Sequence, residues 1–157
     1  MSDDPFDARL TFLVYRVTAK LTLVANRLFR QHGLDIYSSR ILLLLRATGD
    51  SAVGHLVEAM ALPQSTVSHQ LLRLQKQGLI ERRRAPGDNR VVRVTLTPDG
   101  ERAAGAVERF SARINRAMID DLDPIERLVM PKALQKLIGT LDNEASLEPD
   151  EAVREAR

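Results

Sequence analysis

The chain of 157 residues has no cysteine and no tryptophan, only two tyrosines and only three histidines. Without thiols there are no disulfides, no thiolate nucleophile and no thiol-based redox sensing. His32, His55 and His69 are not placed at metal-ligand spacing such as i, i+4, so each reads as a surface or groove residue. No glycine-rich phosphate loop is present, and no nucleophile elbow frames a Ser, His and Asp. Asp120, Asp121 and Asp123 read as a helix end and a cap rather than as paired catalytic carboxylates. Catalytic residues, metal ligands and cofactors are therefore not expected, and neither is an enzyme. No apolar run approaches the ~20 residues of a membrane span. The first residues, Met1-Ser2-Asp3-Asp4-Pro5, are acidic and lack the pattern of a signal peptide, so the expected location is the cytoplasm.

What remains is an ordinary globular composition, 44% hydrophobic and 28% charged, in a chain long enough to bury one core. The charge is unevenly spread. Residues 143–157 carry five acidic and two basic side chains, net −3, so the body before them is +5 although the whole chain is only +2. The segment from Pro63 to Val94 alone holds seven basic side chains against two acidic ones, again net +5. Positive charge concentrated in one segment is what a polyanion-binding surface needs.

That segment organises the chain. From Pro63 to Gln77 the pattern is an amphipathic helix, with Pro63 suited to its first turn and Gly78 to the left-handed residue beyond its end. Val67, Leu71 and Leu74 form the buried stripe. Ser65, Thr66, His69, Arg73 and Lys76 fall on the opposite face, polar at one end and basic at the other. A hairpin follows: Leu79 to Arg84 as one strand with three consecutive arginines, Ala85-Pro86-Gly87-Asp88-Asn89 as the turn, Arg90 beyond it, and Val91 to Leu96 as the return. A basic helix face taken alone is usually just solvated, and an arginine-rich strand can simply protect a sheet edge. The two in this order have the shape of a winged helix-turn-helix, whose helix enters the major groove and whose wing meets the backbone or minor groove.

Pro63-Gln64-Ser65-Thr66-Val67-Ser68, Leu71, Leu74, Gly78-Leu79-Ile80, Asp88-Asn89-Arg90 and Leu96-Thr97-Pro98-Asp99-Gly100 resemble the MarR family of bacterial transcription regulators. The Asp-x-Arg of the wing and the Leu-Thr-x-x-Gly after it are the specific part, and the resemblance extends over about residues 8–142. It implies a homodimer on double-stranded DNA, with an effector that is often a small anionic or phenolic molecule. The lack of cysteine excludes the family's thiol-based peroxide sensors. By the resemblance Arg90 is the wing-tip arginine of the minor groove, oriented by an ion pair with Asp88. The expected DNA-binding residues are Ser65, Thr66, Ser68, His69, Arg73, Lys76, Arg84, Asp88 and Arg90.

The other elements fit this frame. Phe6 to Gln31 reads as a long first helix ended by Gly33, with Leu10, Val14, Val17, Leu21, Val24 and Leu28 as a heptad-like seam. Ser38 or Ser39 is suited to cap a second helix through Thr48, in which the apolar run Ile41 to Leu45 marks a central strut. Asp50 or Ser51 is suited to cap a third helix with Val53, Leu56, Val57 and Met60 inward. Met60-Ala61-Leu62 makes the turn into the recognition helix without the glycine common in the family. Thr97 and Pro98 start a fifth helix whose apolar stripe is Ala103, Val107, Phe110, Ile114, Ala117 and Met118. Asp123-Pro124-Ile125-Glu126 starts the last helix, where Pro131 is expected to kink or break the run of Leu128, Leu134, Leu137, Ile138 and Leu141.

The expected fold is mostly α with a small β-hairpin wing, in a single domain over residues 1–157. A winged helix-turn-helix lobe spans about 36–97, dimerisation helices span 6–33 and 98–142, and the charged tail 143–157 is expected to be frayed. Two functions compete: a sequence-specific regulator, expected to be a repressor, and an architectural winged helix binding DNA with little sequence choice. Ser, Thr and His on the recognition face favour the first, because they can hydrogen-bond base edges. In the resembled family effectors bind near the first, second and fifth helices. There Tyr15, Arg16, Tyr37 and Arg40 are the expected ligand-binding residues, guanidiniums forking onto a planar carboxylate beside aromatic rings.

Overall fold

The computed structural model of the chain describes residues 9–85 and 87–143. The expected frayed tail, from residue 144 onwards, lies outside them, as does the start of the expected first helix. The element order is α1 (Leu10–Phe29), a 3-10 turn (Arg30–His32), α2 (Ile36–Thr48), β1 (Ser51–Ala52), α3 (Val53–Met60), α4 (Gln64–Lys76), β2 (Ile80–Ala85), β3 (Asp88–Leu96), α5 (Pro98–Ile119) and α6 (Pro124–Asp142). The chain divides within α5 into two compact units, one through Ala112 and one from Arg113.

The first unit is a mostly helical lobe with a three-stranded antiparallel sheet in the order β1-β3-β2. Its core is aliphatic. Ile41, Leu42 and Leu45 of α2, Leu56 of α3, Val67, Leu71 and Leu74 of α4, Ile80 of β2, Val94 of β3 and Val107 of α5 are all buried. The stripe expected for the recognition helix is thus its inner face, and Gly78 takes the left-handed conformation (φ 71°) that ends it. Burying an aliphatic side chain of this size stabilises by about 1.5–3 kcal/mol, so these ten positions hold α4 against α2, α3 and the sheet.

Several boundaries differ from the expectations, each for a local reason. Helix α2 is capped by Asp35 rather than by Ser38 or Ser39. The Asp35 carboxylate accepts from the Ser38 N–H at 2.8 Å, and Ser38 Oγ accepts from the Asp35 N–H at 2.9 Å. Neither Asp50 nor Ser51 caps α3. Ser51 and Ala52 instead pair with Val94 and Arg93 as strand β1, and Ala52 occupies the cap position with no side-chain bond. Pro63 is the cap residue of α4 rather than its first helical residue, and it offers no side-chain acceptor to the first turn. The wing turn is shorter than expected. Asp88 already belongs to β3 and opposes Ala85, with a register shift between Arg84 and Ala85.

The turn between α3 and α4 is made without glycine: Ala61 adopts a left-handed φ of 49°. At the start of α5, Gly100 N–H donates to Thr97 Oγ1 at 3.0 Å, the cap expected there. Gly100 is also required by space, because a Cβ would fall 1.9 Å from the Leu79 carbonyl oxygen. That is backbone against backbone, with nothing flexible to yield.

The seam of α1 is largely uncovered. Leu10, Leu13, Val14, Val17, Leu23 and Val24 are exposed, and only Ala25 and Phe29 are buried. In the second unit, Asp123 caps α6 in a reciprocal box with Glu126, as expected. Helix α6 runs through Pro131 as one helix, so of the expected kink or break the break does not occur. It has no buried residue, and Ile125, Leu128, Val129, Met130, Leu134, Ile138 and Leu141 are exposed. Among the described residues no helix is long and apolar enough to cross a membrane.

Candidate nucleic-acid interface

The inner stripe of α4 fixes which side chains point away from the core. Ser65 and His69 are exposed, Thr66 and Ser68 are half-buried, and Lys76 is exposed in the last turn. Because Pro63 provides no side-chain acceptor, the N–H groups of the first turn of α4 are free of a side-chain cap. Such a helix start attracts an oxyanion.

Arg73 departs from the expectation that placed it among the base-reading residues. Its Nη1 bonds Asp35 Oδ2 at 2.5 Å, and its Nη2 donates to the Gly33 carbonyl oxygen at 2.7 Å. Gln70 Nε2 reaches the same Asp35 oxygen at 3.3 Å, and Gln77 Nε2 donates to Gly33 at 3.0 Å. Arg73 therefore ties the recognition helix to the corner between α1 and α2. Burial alone would raise the Asp35 pKa. The Ser38 N–H and hydroxyl and the Arg73 guanidinium outweigh it and hold the carboxyl below the usual value of 3.8.

The wing has a second anchor. Arg83 and Arg93 face each other across β2 and β3, a repulsive pairing on its own. Asp50 resolves it: its Oδ2 lies 2.9 Å from Arg83 Nη2 and 2.9 Å from Arg93 Nε, and its carbonyl oxygen accepts from Arg93 Nη2 at 2.6 Å. Hydrogen bonding from Arg83, joined by the bond from Arg93 and by both positive charges, outweighs the upward push of burial and lowers the Asp50 pKa. Asp35 and Asp50 were both missed as positioning residues. The Asp-x-x-Ser start of α2 was a readable signal for Asp35. Nothing in the local sequence pointed from Asp50 to arginines more than thirty residues away.

With Arg73, Arg83 and Arg93 engaged, the exposed wing cations include Arg84 and Arg90. Asp88 Oδ1 accepts from the backbone N–H of Arg90 at 2.9 Å. Asp88 thus shapes the chain at the hairpin tip through the backbone, and among the described residues its carboxylate makes no ion pair with the Arg90 guanidinium. Of the expected effector residues, Tyr15 is 65% exposed and stacks on Phe12 with ring centroids 6.2 Å apart. The Arg16 guanidinium lies 5.8 Å from the centre of the same Phe12 ring. Tyr37 and Arg40, at the start of α2, are exposed. The α1 pair is thus gathered around Phe12, and the α2 pair carries no hydrogen bond or ion pair among the described residues.

Comparison with known proteins agrees with this geometry. The family model described as "MarR family" matches residues 38–92, from the first turn of α2 into β3. The HTH-type transcriptional repressor NicR of Pseudomonas putida is 29% identical over 147 residues, covering 91% of this chain and 92% of that protein. An uncharacterized HTH-type transcriptional regulator of Bacillus subtilis, YsmB, is 37% identical over 89 residues, but the chain spans only 61% of its length. Among solved structures, Bordetella bronchiseptica BpsR superposes with a TM-score of 0.77 at 26% identity, covering 87% of this chain and 97% of that one. Its structure concerns regulation of DNA binding by 6-hydroxynicotinic acid. A winged lobe with this motif set, matched over residues 38–92 by that family model and almost end to end by a repressor and by a structure concerned with regulation of DNA binding, is similar to the MarR family of transcription regulators.

Proposed function

We propose that the chain is a homodimeric, sequence-specific repressor whose two recognition helices read a near-palindromic operator and whose affinity falls when a small aromatic acid binds. The observation that carries this reading is the outer edge of α4. Ser65, Thr66, Ser68 and His69 line a helix start with no side-chain cap, beside a wing with Arg84 and Arg90 exposed. Hydroxyls and an imidazole can exchange hydrogen bonds with base edges, whereas a surface built only for phosphates would present lysine and arginine. Lys76, Arg84 and Arg90 supply the phosphate and groove contacts, with Asp88 shaping the wing tip, and Arg73 holds the helix in place.

Dimerisation is supported by the uncovered apolar seam of α1 and by the bare apolar residues of α6, which a soluble monomer would not leave exposed together. A two-fold dimer sets its recognition helices about 34–36 Å apart, one turn of DNA. The repressor relative supports the sense of regulation. The hydroxylated aromatic acid that regulates BpsR supports the ligand class. Arg16 and Arg40 with Tyr15 and Tyr37 are the groups on this chain that suit such an acid, guanidiniums to carboxylate and rings to ring.

A gel shift on the gene's own upstream DNA, with and without excess random duplex, tests the reading. A shifted band that survives competitor is expected, weakened by an aromatic acid that binds the protein. A band abolished by competitor would favour the architectural alternative. Calorimetry against hydroxylated aromatic acids is expected to give binding that Arg16→Ala weakens at least about tenfold, the loss of one charge-assisted pair. Equal binding by the variant would remove Arg16 from the site.

A further inference from the structure

Helices α2 and α5 leave between them an open groove of about 520 Å³ lined by Arg46, Glu101, Arg102, Gly105 and Arg109. Three of these five residues carry guanidiniums, and none belongs to the recognition helix, the wing or the Tyr15–Arg16–Tyr37–Arg40 set. Arg46 leaves α2 near its end and lies across α5. Its Nη1 donates to the Glu101 carbonyl oxygen at 3.2 Å, and its Nε stands 3.4 Å from Glu108 Oε2. The two side chains of that ion pair are 38% and 60% exposed, so water screens it and it holds Arg46 only weakly.

Gly105 makes this path possible. A Cβ at Gly105 would sit 2.8 Å from Arg46 Nη1 and 3.7 Å from Arg109 Nη1. The two guanidiniums therefore converge over one glycine, no farther apart than those two distances laid end to end. Glycine is unfavourable inside a helix, and here the missing side chain is the room that Arg46 occupies. Arg102 turns aside to Asp99. Arg109 has no hydrogen bond or ion pair among the described residues. Two like charges side by side, one of them without an acidic partner, repel unless an anion shares them.

We propose that this groove binds the phosphate group of a small phosphomonoester, held between Arg46 and Arg109. The free N–H groups of two guanidiniums suit two oxygens of one phosphate. Glu101 and Glu108 flank the groove and would repel a second anionic group, so the ligand carries its charge at one end.

Titration calorimetry of the full chain with inorganic phosphate, then with glycerol phosphate, at constant ionic strength tests this. Saturable binding is expected, one site per chain, weakened tenfold or more by Arg109→Gln. Gly105→Ala is expected to weaken it as well, because its Cβ displaces Arg46, while the melting temperature stays level or rises because alanine favours helix. Arg16→Ala is expected to leave phosphate binding unchanged. No saturable binding by the wild type, or equal binding by Arg109→Gln, overturns the proposal. A DNA arm separates the two sources of phosphate. If Arg109→Gln lowers the salt slope of DNA binding by about one phosphate while free phosphate does not bind, the partner is the DNA backbone and the small-ligand assignment is overturned. DNA affinity is read separately, so failure of this site and failure of the regulator reading are distinguishable.

Discussion

Arginine does two different jobs on the recognition helix and wing of this lobe, and Arg73 and Arg90 separate them. Arg73 is spent internally, on Asp35 and the Gly33 carbonyl. Replacing it with alanine is expected to lower stability by roughly 1–2 kcal/mol, with base preference unchanged, since hydrogen bonds to charged groups are involved but solvent screens the pair. Urea melts and a base-substitution series on the operator check the two halves of that statement. Arg90 is exposed at the wing tip, so Arg90→Ala is expected to leave stability unchanged, weaken DNA binding across sequences, and reduce the salt slope by about 0.9. An unchanged slope would mean that the wing points away from DNA. His69→Ala is expected to cost about 1–3 kcal/mol at one base position only. Asp35 adds a pH dependence. Its carboxyl is held below 3.8 in the fold, so its contribution is present above that value and is lost as pH falls through the lower folded value. The stability gap between wild type and Asp35→Asn is therefore expected to narrow as pH drops from about 6 to about 3.

At the scale of elements, the apolar periodicity of α4 was legible, because burial on one helix face repeats at 3.6 residues and Val67, Leu71 and Leu74 are all buried. So were the Thr97-Pro98 and Asp123-Pro124 starts, whose capping chemistry is local. The start of α2 was misplaced because serine at the third helical position looks like a cap when its partner Asp35 is not considered. Strand β1 was invisible: two residues, Ser51 and Ala52, become a strand only by pairing with β3 some forty residues on. Arg73 looked free because periodicity reports the face of a helix, not the neighbour that reaches it. Ala61 is the element-scale oddity, a Cβ-bearing residue at φ 49°. Ala61→Gly is expected to stabilise the lobe by about 0.5–1 kcal/mol in a thermal melt, since glycine carries no penalty there. Gly100→Ala is expected to do the reverse, abolishing the native melt or lowering it steeply, because Leu79 occupies the space.

For the whole molecule the question is what covers the bare apolar residues of α1 and α6. Val14, Val17 and Val24 follow the 4-3 seam yet stay exposed, and a seam of that period is matched by another helix. Val17→Glu is expected to convert a dimer to a monomer in light scattering at micromolar concentration. The lobe should still be folded, because the α1 residues it buries are Ala25 and Phe29. The monomer is expected to lose most of its specific DNA affinity, as one half-site cannot replace two. A wild-type monomer at that concentration would sink the dimer and the palindrome together. The most direct test of the account is selection from a pool of randomised duplex DNA with the purified wild-type protein. The account predicts enrichment of one inverted repeat whose half-sites are centred about 10 bp apart, each half recognised through Ser65, Thr66 and His69. A pool that stays random, or an enriched motif with no two-fold repeat, would contradict it.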